Sequence, residues 1–318
     1  MIGRRALAIL PMLFGISVVG FLLMKLVPGD PSSFLLGPFA GPEAREALLR
    51  SLGWDQPWPV QYVKWLGLFV QGDFGTSVRY QTPVSEIFGQ AVVNSAILVA
   101  LSFAIAFVLG FFGGILAAVK RFSPVDRVTT TVAVVLASAP VYWLGLVLVW
   151  IFSVRLGIFP VSGIGTVGAE SDVVDLLHHA ALPSVTAALI PMAVIFRLTR
   201  SELAHALDQP YIQAARARGL TEASVVFRHG VRNIVAPIAN VSGLQLGFIF
   251  TATLFVEVVF AWPGVGFLVF QAIAARDIPV IQTVVLFTGL LFVAISLVSD
   301  VIQGLVDPRT MASAGAGT

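Results

Sequence analysis

The sequence predicts an all-α, polytopic membrane protein with six transmembrane helices, and two observations carry that prediction. Of 318 residues, 57% are hydrophobic and only 11% are charged, where a soluble domain carries about 25% charged residues. A soluble fold of this size needs a polar surface, and these residues are too few to cover one. The apolar residues also fall into runs of about 20, the length a helix needs to cross the hydrocarbon core. The 29 Gly and 18 Pro suit such helices, because both residues are tolerated in lipid-embedded segments.

The runs place spans at Ala6–Val27, Asn94–Val119, Val128–Val154, Leu182–Leu198, Ile234–Val256 and Val280–Ile302. The first, behind Arg4 and Arg5, is too long for a signal-peptide core of about 7–15 residues, and no small-residue cleavage pattern follows it. It reads as a retained helix. Pro140 and Pro191 mark kinks or local breaks in the third and fourth spans. Assigning the N-terminus and the C-terminus to the cytoplasm puts twelve of the nineteen Lys and Arg residues inside. Most of the other seven lie in one long outer loop, where the positive-inside rule counts them weakly.

That loop, 28–93, is extracytoplasmic and holds its own helix signal. Pro42, Glu43 and Glu46 precede Leu48, Leu49 and Leu52, with Gly53 as the stop. Trp54, Trp58, Tyr62 and Trp65 follow, as in chain resting at a membrane interface. The net charge of +2 gives no reason to expect a nucleic-acid partner. Cysteine is absent, which excludes disulfides, thiolate metal sites and cysteine nucleophiles.

Catalytic and metal motifs are weak. Lys25, Lys64 and Lys120 are the only lysines and none follows a glycine, so no phosphate-cradling Walker loop is present. His178 and His179 are adjacent and point about 100° apart on a helix, so a polar cap is favoured over a shared metal. The serines within the spans lack a histidine base and an orienting acid. Asn94, Tyr142, Gln245, Thr251, Thr253 and Glu257 are polar groups in or beside spans. They are the candidates for a translocation pathway, with helix packing or capping as the plainer role.

The segment 199–233 is more informative. Helix formers Ile212, Ala214, Ala215, Arg216, Ala217 and Arg218 stop at Gly219, a residue suited to a left-handed helix terminus. Leu220 follows, and Thr221 with Glu222 and Ser224 opens a second helix. The result is a short basic helix–turn–helix on the cytoplasmic side, with small residues that allow close approach and arginines that can meet carboxylates. The plainer alternative is an ordinary basic loop.

These residues resemble the EAA loop of ABC-importer permeases. Tyr211 through Pro237 is similar to the dipeptide/oligopeptide/nickel permease family, in its B-type membrane subunit. Further family-like segments follow the same order along the chain. They are Leu26–Pro31, Gly72–Ser77, Leu116–Arg121, Phe196–Ser201, Glu257–Gly266 and Asp307-Pro308-Arg309. Gln209-Pro210, Gln213, Arg218 and Gly230 depart from the family pattern. The resemblance implies a type I ABC importer permease fold. Residues 1–27 would form the first helix, 94–304 a five-helix core with the coupling loop, and 305–318 a cytoplasmic tail. It implies a second related permease, two cytoplasmic ABC ATPases that bind ATP and Mg, and an extracytoplasmic solute-binding protein. Residues 212 and 214–221 would couple to the ATPases, and this chain would bind no cofactor. Short peptides or peptide-like solutes would be the cargo. The alternative class, an ion-coupled secondary transporter, would show charges deep in the membrane or two repeated halves, and neither is evident.

Overall fold

A computed structural model of the chain describes residues 2–26, 36, 41–51, 53–166, 168 and 172–306. The Pro28–Pro31 turn, Leu52, Asp307-Pro308-Arg309 and most of the 305–318 tail lie outside the described residues. Helices account for the architecture: α1 (Ile2–Leu26), α2 (Pro42–Ser51), α3 (Trp58–Val70), α4 (Val84–Val119) and α5 (Pro124–Ser138). They are followed by α6 (Val141–Arg155), α7 (Val173–Leu207), α8 (Pro210–Ala217), α9 (Glu222–Val259), α10 (Val265–Ala275) and α11 (Ile278–Val306). Among the described residues the one β pairing is an isolated bridge, Thr76 to Pro83.

Among the described residues, α4, α7 and α9 are each long and apolar enough to cross a membrane. The third predicted span breaks at Pro140, as its proline led us to expect, into α5 and α6, bent by 113°. Ala139 sits in extended backbone (φ −89°, ψ 141°) directly before Pro140, because the proline ring excludes helical conformation from the preceding residue. At Pro191 the fourth span does not break: α7 continues through both Pro183 and Pro191. Several helices outrun their predicted spans. α4 has 36 residues, roughly 50 Å against a hydrocarbon core of about 30 Å. Its first turns carry Ser85, Glu86 and Gln90, polar residues that end a hydrophobic run without ending a helix. The short apolar α10 had no counterpart among the predicted spans.

Two packing units divide the chain, and 268–293, grouped above with the core 94–304, belongs to the N-terminal one. In that unit the aromatic residues expected at a membrane interface pack in part on α1. The Phe21 ring lies 5.5 Å from Tyr62 and 5.8 Å from Trp65. The Tyr62 hydroxyl is 2.6 Å from Ser17 Oγ, while Trp58 is exposed. Lys25 donates to Gln61 Oε1 at 2.6 Å and lies over the Trp54 ring. α11 joins the same unit through Gln282, which donates to the Gly20 carbonyl at 3.2 Å.

The larger unit is organised on α7. Its Ala188 and Ile195 meet Ala106 of α4 and Ile249 of α9, and its Ala193 and Phe196 meet Ala133 of α5 and Ala117 of α4. Small residues let these backbones approach closely, which is how helices associate where no water drives them together. At the α7 end nearest α8, Arg200 donates to both carboxylate oxygens of buried Asp126 at 2.5 and 2.8 Å. The Phe122 backbone N–H adds a third bond to that carboxylate at 2.9 Å. A bidentate pair of this kind fixes orientation as well as distance, so α5 is held in register with α7.

Candidate functional site: the coupling loop

The loop between α7 and α9 folds as its residues predict. Pro210 occupies the first turn of α8, where a missing N–H costs nothing. The helix ends in a Schellman motif: Leu220 N–H donates to Ala215 O at 3.4 Å and Gly219 N–H to Arg216 O at 2.9 Å. This geometry requires a left-handed residue, and Gly219 supplies it with φ +78°. Thr221 then caps α9, its Oγ1 accepting from Ser224 N at 3.4 Å.

Two of the nine residues assigned to coupling face inward. Ile212 and Ala215 are buried against Val225 and Leu207, three positions apart on one face of α8. They hold the loop to the ends of α7 and α9. Ala214, Arg216, Ala217, Arg218, Gly219, Leu220 and Thr221 form the exposed face. The two loop arginines differ in state. Arg216 makes a two-point ion pair with Glu222 across the turn, at 2.7 and 3.3 Å. Arg218 has no ion pair among the described residues. Both ends of the Arg216 pair are well exposed, so it adds little stability while setting the turn's geometry. At the base of the loop, Asn233 donates to the Tyr211 hydroxyl at 2.7 Å and to His229 O at 2.9 Å. α9 opens with a π-helical stretch, Val225–Val231. Gly230 lies within it, and a Cβ there would stand 2.9 Å from Leu203 Cδ1. Gly230, one of the departures from the family pattern, thus sits close against Leu203 of α7. None of these cross-turn links has a periodic signal in sequence.

The pathway candidates scatter. Asn94 and Glu257 come together but turn inward. Ser95 donates to Glu257 Oε1 at 2.5 Å, Gly266 N–H to Oε2 at 2.6 Å, and Asn94 Nδ2 to the Pro263 carbonyl at 2.8 Å. Trp262, fully buried, donates to the Asn94 carbonyl. This knot pins the α9–α10 turn and caps the start of α10. Gln245 and Thr253 are also buried on α9, Thr253 bonding its own helix at Ile249 O. Thr251 and Tyr142 are exposed, Tyr142 beside the α5–α6 break. A cleft of about 620 Å³ between α5 and α7 was not anticipated. It is lined by Thr130, Val134, Val194, Arg197, Leu198, Arg200 and Ser201. His178 and His179 are taken up by Ile158 O and by Asp175 respectively.

Among the described residues, helices long and apolar enough to cross a membrane thus carry a short, exposed, self-braced helix–turn–helix. Comparison with known proteins identifies the family. Residues 110–312 match the model for "Binding-protein-dependent transport system inner membrane component", and residues 1–106 match its N-terminal companion. The oligopeptide transport system permease protein AppB of Bacillus subtilis is 38% identical, over 96% of this chain and 97% of its own. The glutathione transport system permease protein GsiC of Escherichia coli K12 is 38% identical over 96% of both chains. Among solved structures, the inward-facing MetNI methionine ABC transporter matches with TM-score 0.57 and 20% identity, covering 70% of this chain and 96% of that one. An amino acid ABC transporter matches with TM-score 0.53 and 14% identity, covering 69% and 94%. The chain belongs to the family of inner-membrane components of binding-protein-dependent transport systems. It is an importer permease with the type I fold, and ATP binding resides in separate subunits.

Proposed function

We propose that this permease forms part of the pathway for short peptides or peptide-like solutes. The observation that carries the reading is 38% identity, over nearly the whole chain, to one relative named for oligopeptides and another named for glutathione. In this reading six spans leave both termini in the cytoplasm, supported by the distribution of Lys and Arg. A second related permease completes the pathway, and two ATPases bind ATP and Mg. The ATPases grip the exposed face formed by Ala214, Ala217, Arg218, Leu220 and Thr221, whose small residues let a partner groove close on the helix. Ile212 and Ala215 then transmit the movement, because they are packed on the ends of α7 and α9. The α5–α6 break and the neighbouring cleft give the bundle a place to rearrange, as discontinuous helices do in other transporters.

The test is uptake of labelled peptides and of glutathione into proteoliposomes holding this chain with its partner subunits and binding protein. Uptake should require internal or external ATP on the ATPase side and stop with a hydrolysis-deficient ATPase. Uptake driven by an ion gradient without ATP would overturn the coupling assignment. ATP-driven uptake of some other solute class, with peptides and glutathione both refused, would overturn the cargo assignment alone.

A further inference from the structure

The Gly72–Ser77 segment has no part in coupling, yet the N-terminal packing unit builds around it with unusual care. Asp277, between α10 and α11, is 1% exposed. Its Oδ2 accepts from Ser77 Oγ at 2.5 Å and from Arg79 N–H at 3.1 Å. Ser77, itself fully buried, accepts at Oγ from Tyr80 N–H and at its carbonyl from Gln81 N–H, and donates its own N–H to Thr82 O, each at 3.0 Å. The turn is therefore closed on itself and bolted to the α10–α11 junction. Two residues other than glycine take left-handed backbone here, Gln81 at φ +54° and Arg276 at φ +55°. Such conformations are unfavourable for residues with a Cβ and persist where the surroundings over-determine them, often at functional surfaces.

The product of this scaffold is a fixed, exposed tip. Arg79, Tyr80 and Arg276 all face solvent, and the Tyr80 hydroxyl donates to Gln271 Oε1. The Arg79 guanidinium lies 5.4 Å from the Tyr80 ring centre. Neither arginine has an ion-pair partner among the described residues. Asp73 lies in the same segment, but its Oδ1 accepts from Gly75 N–H. Tyr and Arg are the side chains that most often dominate protein interfaces, and two unpaired arginines on a rigid mount suit a partner presenting carboxylates.

We propose that Arg79, Tyr80 and Arg276 form a docking surface for a carboxylate-bearing face of the extracytoplasmic solute-binding protein. The inference rests on the reading that 28–93 and the α10–α11 junction are extracytoplasmic. The family works with a binding protein that must meet the permease on that side, and this tip offers it preset charge. Charges so placed speed encounter and fix register.

The experiment uses the complete complex in nanodiscs and measures its affinity for the cargo-loaded binding protein across a salt series. Arg79→Glu with Arg276→Glu should weaken Kd at low salt by ~10-fold or more and flatten its salt dependence. Arg79→Lys with Arg276→Lys should recover most of the affinity, which a merely structural role for the arginines would not predict. Unchanged Kd and salt slope in the double Glu variant, assembled with its partners in normal ratio, overturns the proposal. A change that follows phosphatidylglycerol content, with Kd for the binding protein unaltered, overturns it in favour of a lipid contact. Arg79→Cys should react with an impermeant maleimide from outside. Reaction only from the cytoplasmic side would overturn the sidedness and the docking surface together, whereas outside labelling with unchanged Kd would overturn docking alone.

Discussion

At Gly219 the demands of backbone geometry and of mechanism meet in one residue. Its φ of +78° closes the Schellman motif that ends α8, and no atom stands within 4 Å of where a Cβ would lie. Space is thus no obstacle to a side chain, and the whole penalty of substitution is conformational. A β-branched residue is disfavoured in this region far more than alanine. Gly219→Val should reach the membrane in near-normal amount, because the loop lies outside the apolar spans, yet lose most transport and substrate-stimulated ATPase activity. Gly219→Ala should fall between. A misfit costing more than about 1 kcal/mol shifts a two-state joint roughly fivefold or more. Uptake and ATPase rate on equal amounts of complex decide the matter, and normal values for the valine variant would reduce the loop to a passive connector. This residue was legible in the sequence because a helix-forming run, a glycine and a capping threonine are all local signals. Asn94 and Glu257 were not. They read as polar groups beside a route, and only the fold brings Ser95, Trp262 and Gly266 around them.

At the scale of the element, the contact between α4 and α7 shows what apolar periodicity leaves out. Hydrophobic runs locate a span without saying which face meets which neighbour. The sequence Gly110-Phe-Phe-Gly113-Gly114 sets that face. A Cβ on Gly114 would lie 2.7 Å from both the Phe196 carbonyl and Thr199 Cβ, so the helices touch backbone to backbone. Next along α7, Arg200 clasps Asp126, and a wider spacing at Gly114 would strain that pair as well. Overpacking of this kind typically costs ~1–3 kcal/mol. Gly114→Val should sit at the upper end and lower the thermal midpoint of the purified complex, with Gly114→Ala lowering it less. A midpoint for the valine variant equal to the parent's would show that α4 and α7 are not in close contact. The α5–α6 break was half legible: Pro140 announced a kink or local break, but a bend of 113° depends on packing that a proline alone does not specify.

For the whole molecule, the layout of the charges and the hydrogen bonds between distant segments bear on the same question. Ser77 meets Asp277, and Gly163 N–H donates to Phe260 O at 3.0 Å, each pair joining segments assigned above to the outer side. Arg121 pairs with Asp208 at 2.7 Å, joining two segments assigned to the cytoplasm. In the proposed topology such contacts join segments that share a side, and the excess of Lys and Arg is the reason for assigning one of those sides to the cytoplasm. Because the chain has no cysteine, single introduced cysteines read the answer against a clean background. Ser77 would be a poor reporter, since its buried side chain would keep a thiol from reagent whichever way the chain is inserted. Thr76 and Ala223 are both exposed and sit on the two opposite sides of the proposed topology. Thr76→Cys should react with an impermeant maleimide on intact spheroplasts, and Ala223→Cys only after permeabilisation. The reverse pattern would invert the topology, and reaction of both from outside would require an odd number of crossings between residues 76 and 223 to become even, removing one of the spans from the six.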